Sequence, residues 1–179
     1  MEKGIINTQA KLSEHFTLGE MIKTNAKGID NTPPHGAVIN LKNLCENWLE
    51  DLRYSYNMLY GGDHNRGTVL PVATEEPSPC YGVSAEEPVI INSGYRSEAV
   101  NKAVGGAKES NHLSGCAVDI KCFGIEQAIR YAAILLDIAD GKKQDYDELL
   151  IERSPKGTYW VHFAVRPKDN RRKTKFIQT

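Results

Sequence analysis

The chain has 179 residues, of which 40% are hydrophobic and 25% are charged. A chain of this size and composition can bury one globular core, so we expect a single domain spanning residues 1–179. The formal net charge is -1, from 22 basic and 23 acidic residues. Proteins that bind nucleic acid normally have an excess of basic residues, so this balance argues against a nucleic-acid partner.

No apolar run is long enough to cross a bilayer, so we expect no stable membrane insertion. The N-terminus lacks the basic start and apolar centre of a secretory signal, which predicts synthesis in the cytoplasm without export by the common route. The cysteines match no zinc-finger or redox spacing, and we predict no disulfide framework. They are Cys45, Cys80, Cys116 and Cys122. The sequence does not indicate the oligomeric state.

The first third of the chain has helical signals. Residues 17–20, Thr-Leu-Gly-Glu, form a capping box that predicts a short helix. After the proline-containing breaker at 31–34, apolar residues recur at helical spacing over 38–56 and predict a long amphipathic helix that ends before Gly61. Residues 61–87 are rich in glycine, proline and polar residues, so we predict a long surface loop, inserted into the domain.

Short β-branched and aromatic runs alternate with helical patterns in the second half of the chain. We predict strands at 88–93, 117–121, 148–152 and 159–165, and helices at 97–104 and 125–136. The last two strands are joined by a turn sequence that favours a hairpin. This pattern predicts an α+β domain with a small mixed or mostly antiparallel sheet and flanking helices. The basic segment 166–175 indicates a solvated terminus or a patch for an anionic polymer.

His112, Asp119 and His162 are candidate metal ligands. Catalytic zinc takes three protein ligands and keeps one position for water. Small residues separate His112 from Asp119 and allow a tight turn, while a strand offers a rigid position for His162. By spacing alone, a metal-free pair in which His112 and Asp119 form a hydrogen bond is the default interpretation. Arg96, between a strand and a helix, can hold a carboxylate or an oxyanion.

Four segments of the chain carry a resemblance to a known family. The run from Ser93 to Ile120, SGYRSEAVNKAVGGAKESNHLSGCAVDI, and the later YWVHF resemble the M15 family of zinc peptidases. The segments HFTLGEMI and NTPP resemble the N-terminal half of one M15 branch. The family includes D-Ala-D-Ala carboxypeptidases and phage endolysins, and the zinc domain of hedgehog proteins is similar in fold. The resemblance covers most of the chain and is interrupted at 61–87.

The resemblance implies that one Zn²⁺ per chain is bound by His112, Asp119 and His162. It also implies that Arg96 binds a substrate carboxylate or stabilises the oxyanion during catalysis. The predicted substrate-binding residues are Tyr95, Arg96, Ser110 and Trp160.

A hydrolase of this kind also needs a general base. Members of the family often carry a Glu, Asp or His two or three residues before the last ligand, where this chain has Tyr159 and Trp160. Glu152 on the preceding strand is our candidate for the catalytic base, because a hairpin could bring it beside the last ligand. Glu148 and Asp147 are its rivals.

The resemblance therefore implies a zinc-dependent metallopeptidase that hydrolyses peptide bonds of peptidoglycan stem peptides, as a carboxypeptidase or an endopeptidase. Its partner would be peptidoglycan peptide, and the missing signal favours a phage or prophage lysin acting at the bacterial cell wall. The alternative is a catalytically inactive, zinc-containing module for cell-wall binding or assembly, which the residues before His162 would favour.

Overall fold

The computed structural model describes residues 6–61 and 86–178. Most of the predicted insertion at 61–87, together with Cys80, lies outside the described residues, so that prediction stays untested. None of the helices in the described parts is both long and apolar enough to cross a membrane.

The predicted helices of the first third are present. Helix α1 spans Leu18–Met21 and begins with the predicted capping box, in which the Thr17 side chain and the Glu20 carboxylate each accept a backbone N–H. The predicted long helix is continuous from α2 (His35–Leu44) to α3 (Glu50–Tyr60). Its middle turn, Cys45–Leu49, is π-helical, a widening that hydrophobic periodicity does not reveal.

The helices of the second half also match the predictions. Helix α4 spans Glu98–Ala103, and its N-terminus is capped by the Ser97 side chain. A short 3₁₀ helix, Asn111–Ser114, precedes the second strand, and helix α5 spans Ile125–Lys142. The last helix is longer than the predicted 125–136, because its final turns carry few apolar residues that would extend the pattern.

The sheet has five strands in the order β1-β2-β4-β3-β5. They are β1 (Ile91–Ser93), β2 (Ala117–Cys122), β3 (Glu148–Arg153), β4 (Tyr159–Ala164) and β5 (Lys173–Gln178). The first three pairings are antiparallel, and β5 pairs with β3 in parallel. This arrangement confirms an α+β fold with a mostly antiparallel sheet. Strand β1 is shorter than predicted, and residues 173–178 form an edge strand where a solvated terminus was one expectation.

The two faces of the sheet have different characters. Val161 and Phe163 of β4 lie on the face that packs against the helices, and the rings of Phe163 and Trp48 are 5.1 Å apart. Because side chains alternate along a strand, Trp160 and His162 point to the opposite face. The helix-covered face therefore supplies the core, and the opposite face presents polar side chains.

Candidate metal centre

His112, Asp119 and His162 are brought together on the polar face of the sheet. Asp119 in β2 lies directly opposite His162 in β4 in the antiparallel register. His112 comes from the 3₁₀ helix that precedes β2. Strand pairing thus fixes the positions of two candidate ligands, and the third lies in the segment that immediately precedes β2.

A tight turn places His112 beside Asp119 and His162. The Ser110 hydroxyl caps the 3₁₀ helix by accepting the His112 backbone N–H at 3.3 Å. Gly115 ends that helix with a φ of 69°, and a Cβ there would lie 2.5 Å from the Ala37 carbonyl oxygen. Only glycine suits this backbone conformation and this close approach, as expected for a tight turn built from small residues.

The three candidate ligand atoms form a nearly equilateral triangle. Asp119 Oδ1 is 3.2 Å from His112 Nε2 and 3.0 Å from His162 Nδ1, and the two imidazole nitrogens are 3.3 Å apart. Tetrahedral zinc with bonds of about 2.0 Å keeps neighbouring ligand atoms about 3.3 Å apart. The donor set and its dimensions therefore fit one face of a zinc tetrahedron, and the cluster is suited to hold a metal ion.

Hydrogen bonding leaves the correct nitrogen of His112 available. His112 Nδ1 lies 2.5 Å from the Gly94 carbonyl oxygen, so Nδ1 carries the proton and donates it. The lone pair on Nε2 then faces Asp119 and His162. A backbone carbonyl that accepts from the other ring nitrogen commonly fixes the tautomer and orientation of a metal-binding histidine.

The electrostatics of the cluster favour a cation at its centre. Burial lowers the pKa of His112, so its imidazole is neutral. Burial alone would raise the pKa of the Asp119 carboxyl, but hydrogen bonding and charge attraction from the protonated His162 outweigh burial and lower it. Burial alone would lower the pKa of His162, but hydrogen bonding to Asp119 and charge attraction raise it to about 9. In the metal-free protein at neutral pH, a proton on His162 thus supplies positive charge that a bound metal would replace.

Arg96 is attached to this centre from one side. Its guanidinium forms an ion pair with Asp119 Oδ2, the oxygen that does not contact the histidines, and its Nε donates to the Ser93 hydroxyl at 2.8 Å. Its backbone N–H donates to the His112 carbonyl at 3.0 Å. Arg96 therefore holds the carboxylate in orientation and keeps positive charge at the edge of the centre.

A cleft of about 220 Å³ lies beside the metal centre. Arg96, Asp119 and Trp160 line one side of it, and Lys23 and Asn25, in the segment after α1, line another. The cleft thus combines cationic, amide and apolar groups next to the candidate ligands, a mixture that suits a peptide. No pattern in the sequence indicated that Lys23 and Asn25 would line this cleft, because they are distant from the candidate ligands along the chain.

Glu152 is the carboxylate whose environment fits a proton carrier. It lies opposite Trp160 in the β3–β4 pairing, on the same face as His162, and is half-buried. Burial raises the pKa of Glu152; the nearby His162 opposes this rise, and the negative charge of Asp119 adds to it. A raised pKa lets a carboxylate accept and release a proton near neutral pH.

The two rival carboxylates are already paired with basic side chains. Glu148 accepts a hydrogen bond from Lys173 Nζ at 2.7 Å, and the protonated His162 ring 3.6 Å away, together with Lys173, lowers its pKa to about 2. Asp147 is fully buried and holds Arg171 through bonds of 2.8 and 2.7 Å. Burial would raise the pKa of Asp147, but the Arg171 bonds outweigh burial and lower it. Both groups remain charged and paired, which leaves Glu152 as the stronger candidate for the base.

The other predicted substrate-binding residues occupy different environments. Trp160 lines the cleft, whereas Tyr95 is 6% exposed and packs in the hydrophobic core. The Ser110 hydroxyl is partly exposed at the start of the 3₁₀ helix. Direct contact of Tyr95 and Ser110 with substrate stays a prediction.

Comparison with known proteins supports the family resemblance. A family model described as Peptidase M15 matches residues 81–147. This region includes Arg96, His112 and Asp119, and it ends before His162. No curated protein matches the chain. The match supports a peptidase of the M15 family, and the geometry of the His-Asp-His cluster is compatible with a metal-dependent one.

Proposed function

We propose that this chain is an M15-type zinc peptidase that hydrolyses peptide bonds in the stem peptides of bacterial peptidoglycan. The observation that carries the proposal is the triangle formed by His112 Nε2, Asp119 Oδ1 and His162 Nδ1, whose edges of 3.0–3.3 Å suit tetrahedral zinc. We also propose the hedgehog- and DD-peptidase-like arrangement of helices around the sheet. The protein would act at the bacterial cell wall, as a phage or prophage lysin.

In the proposed mechanism, His112, Asp119 and His162 hold one zinc ion. When bound, zinc would polarise the scissile carbonyl and lower the pKa of a coordinated water to about 7. The protein contributes a rigid support, because two of the ligands lie on paired strands and the third is fixed by its bond to Gly94. Burial of all three side chains limits competing water around them.

Glu152 would take the proton of the attacking water and pass it to the leaving amine. Its position opposite Trp160 supplies the carboxylate that is missing immediately before His162 in the sequence. Its raised pKa favours both accepting the proton and returning it. This placement supports an enzyme over the inactive binding module, since the module was favoured by the lack of such a group.

Arg96 would act on the substrate side of the centre. Its guanidinium has five N–H donors, of which the contacts to Ser93 and Asp119 use two. The remaining donors can bind a substrate carboxylate or the oxyanion that develops at the scissile carbonyl. Trp160, Tyr95 and Ser110 would complete the substrate-binding surface along the cleft.

Incubation of the purified chain with peptidoglycan fragments tests this proposal. We expect release of a D-amino acid or a peptide that stops on chelation and returns when zinc is added. Fragments with a free terminal D-Ala, compared with cross-linked fragments, distinguish a carboxypeptidase from an endopeptidase. A Glu152→Gln variant that still binds zinc but releases nothing would support Glu152 as the base. The absence of any metal-dependent product from the wild-type protein would remove the enzymatic proposal.

A further inference from the structure

We infer that Glu148 is a positioning residue for His162, and that the C-terminal strand β5 holds Glu148 in place. The inference rests on the proposed metal site. Glu148 Oε2 lies 3.6 Å from His162 Nε2, whereas the other ring nitrogen, Nδ1, is the one in contact with Asp119 and His112. The two nitrogens of His162 thus have separate partners, a candidate metal position on one side and a carboxylate on the other.

Both oxygens of Glu148 are fixed by other groups. Oε1 accepts from Lys173 Nζ at 2.7 Å and lies 3.2 Å from Arg171 Nη2. Oε2 accepts from Asn111 Nδ2 at 3.3 Å. Lys173 is the residue of β5 directly opposite Glu148 in the parallel pairing. The carboxylate is therefore held by β5 and also by the residue that immediately precedes His112.

The neighbouring Asp147 anchors the same segments. Its buried carboxylate accepts two bonds from the Arg171 side chain, one from the Arg171 backbone N–H and one from Asn111 at 2.8 Å. Its backbone carbonyl accepts the Lys173 N–H at 3.0 Å. The start of β5 and the 3₁₀ helix are thus tied to the beginning of β3. This anchoring restricts the freedom of Lys173 and Asn111, the two groups that orient Glu148.

A carboxylate on the outer nitrogen of a metal-binding imidazole has a defined effect. It keeps the proton on that nitrogen, leaves the lone pair on the other and raises the basicity of the ligand. Loss of such a partner typically weakens metal binding roughly 10- to 100-fold. Glu148 would accordingly strengthen metal binding by His162 without contacting the metal or the substrate.

Metal affinity in matched variants tests the inference. We would measure the zinc dissociation constant by chelator competition in the wild type and in Glu148→Gln, Lys173→Met and Lys175→Met. Lys175 lies on the same strand and face as Lys173 but is exposed, and among the described residues it has no ion-pair partner. We expect a roughly 10- to 100-fold loss of affinity for Glu148→Gln, a smaller loss for Lys173→Met and no change for Lys175→Met.

The absorption spectrum of the cobalt-substituted protein separates positioning from a purely structural role. We expect the cobalt bands to shift in Glu148→Gln and Lys173→Met, because the His162 ring changes its orientation or basicity. If both variants lose thermal stability but keep the wild-type affinity and cobalt spectrum, Glu148 only docks β5 and the inference is wrong. If Glu148→Gln does not fold, the zinc affinity and cobalt spectrum of Lys173→Met decide between the two roles in the same way. A wild-type protein that binds no metal refutes the proposed function itself, before any variant is compared.

Discussion

Raising the pH above neutrality should destabilise the metal-free protein, and the effect should come from His162. The pKa of His162 is raised from 6.5 in the unfolded chain to about 9 in the folded protein, where Asp119 and Glu148 attract the protonated ring. A group with a raised folded pKa contributes stability that is complete below its unfolded pKa and disappears as the pH rises through its folded pKa. The free energy of unfolding should therefore fall between pH 6.5 and about 9.

The size of this effect follows from the shift. At about 1.4 kcal/mol per pKa unit, the protonated His162 contributes about 3 to 4 kcal/mol at low pH, of which about 2 kcal/mol is lost between about pH 6.5 and 8.5. His112, whose pKa is lowered, is neutral in the folded protein and partly protonated in the unfolded chain only near pH 6.5, so it opposes this loss slightly. Asp119 is ionised in both states. In a chain of this length, a loss of about 2 kcal/mol lowers the melting temperature by roughly 4–8 °C.

Bound metal should reverse the dependence of stability on pH. The metal must displace the His162 proton, so its apparent affinity should rise up to tenfold per pH unit until the pH approaches 9. Urea unfolding at pH 6.5 and 8.5, with a chelator and then with excess zinc, measures both effects, and His162→Gln is the control without a titrating ring. Metal-free stability that stays flat or increases with pH would refute this account of the cluster.

Three variants test individual parts of the site, and a fourth is a control for one of them. Glu152→Gln should lower kcat by roughly 100- to 10,000-fold while the zinc content, measured by metal analysis, stays at one per chain; an unchanged rate would mean that another group is the base. His112→Ala should abolish both zinc binding and activity, and its melting temperature should no longer respond to a chelator. Gly115→Ala should lower the free energy of unfolding in urea by roughly 2 kcal/mol, because the residue has a positive φ and its Cβ would clash with the Ala37 carbonyl. Gly141→Ala in α5, where a Cβ meets no atom within 4 Å, should not destabilise the protein.

Local signals account for the parts of the fold that the sequence predicted. The capping box at 17–20, the Ser97 cap and the β-branched run of β2 each depend on neighbouring residues, and each has the predicted structure. Strand β5 depends on distant residues: its lysines and threonine give little strand signal, and its pairing with β3 in parallel joins segments about 25 residues apart. A charged edge strand of this kind becomes recognisable only when its partner is known.

The candidate site also combines parts that local sequence signals predicted with parts that depend on distant residues. The motif around His112 and Asp119 identified two of the candidate ligands, and the aromatic strand identified the third. The expected hairpin favoured Glu152 as the base, with Glu148 and Asp147 as rivals, and did not indicate which of these carboxylates is paired with a basic side chain. That choice depends on Lys173 of β5, which forms an ion pair with Glu148. Interactions between segments so far apart in sequence leave no pattern that periodicity or spacing can detect.

The direct pairing of Asp119 with His162 makes the chemistry sensitive to strand alignment. A slip of one residue between β2 and β4 would put Val161 or Phe163 beside Asp119 and turn His162 towards the helices. Such a misaligned chain could still collapse, but it would lack the donor triangle. Zinc present during folding should therefore select correctly aligned molecules, so that metal supply would affect the yield of native protein as well as its activity.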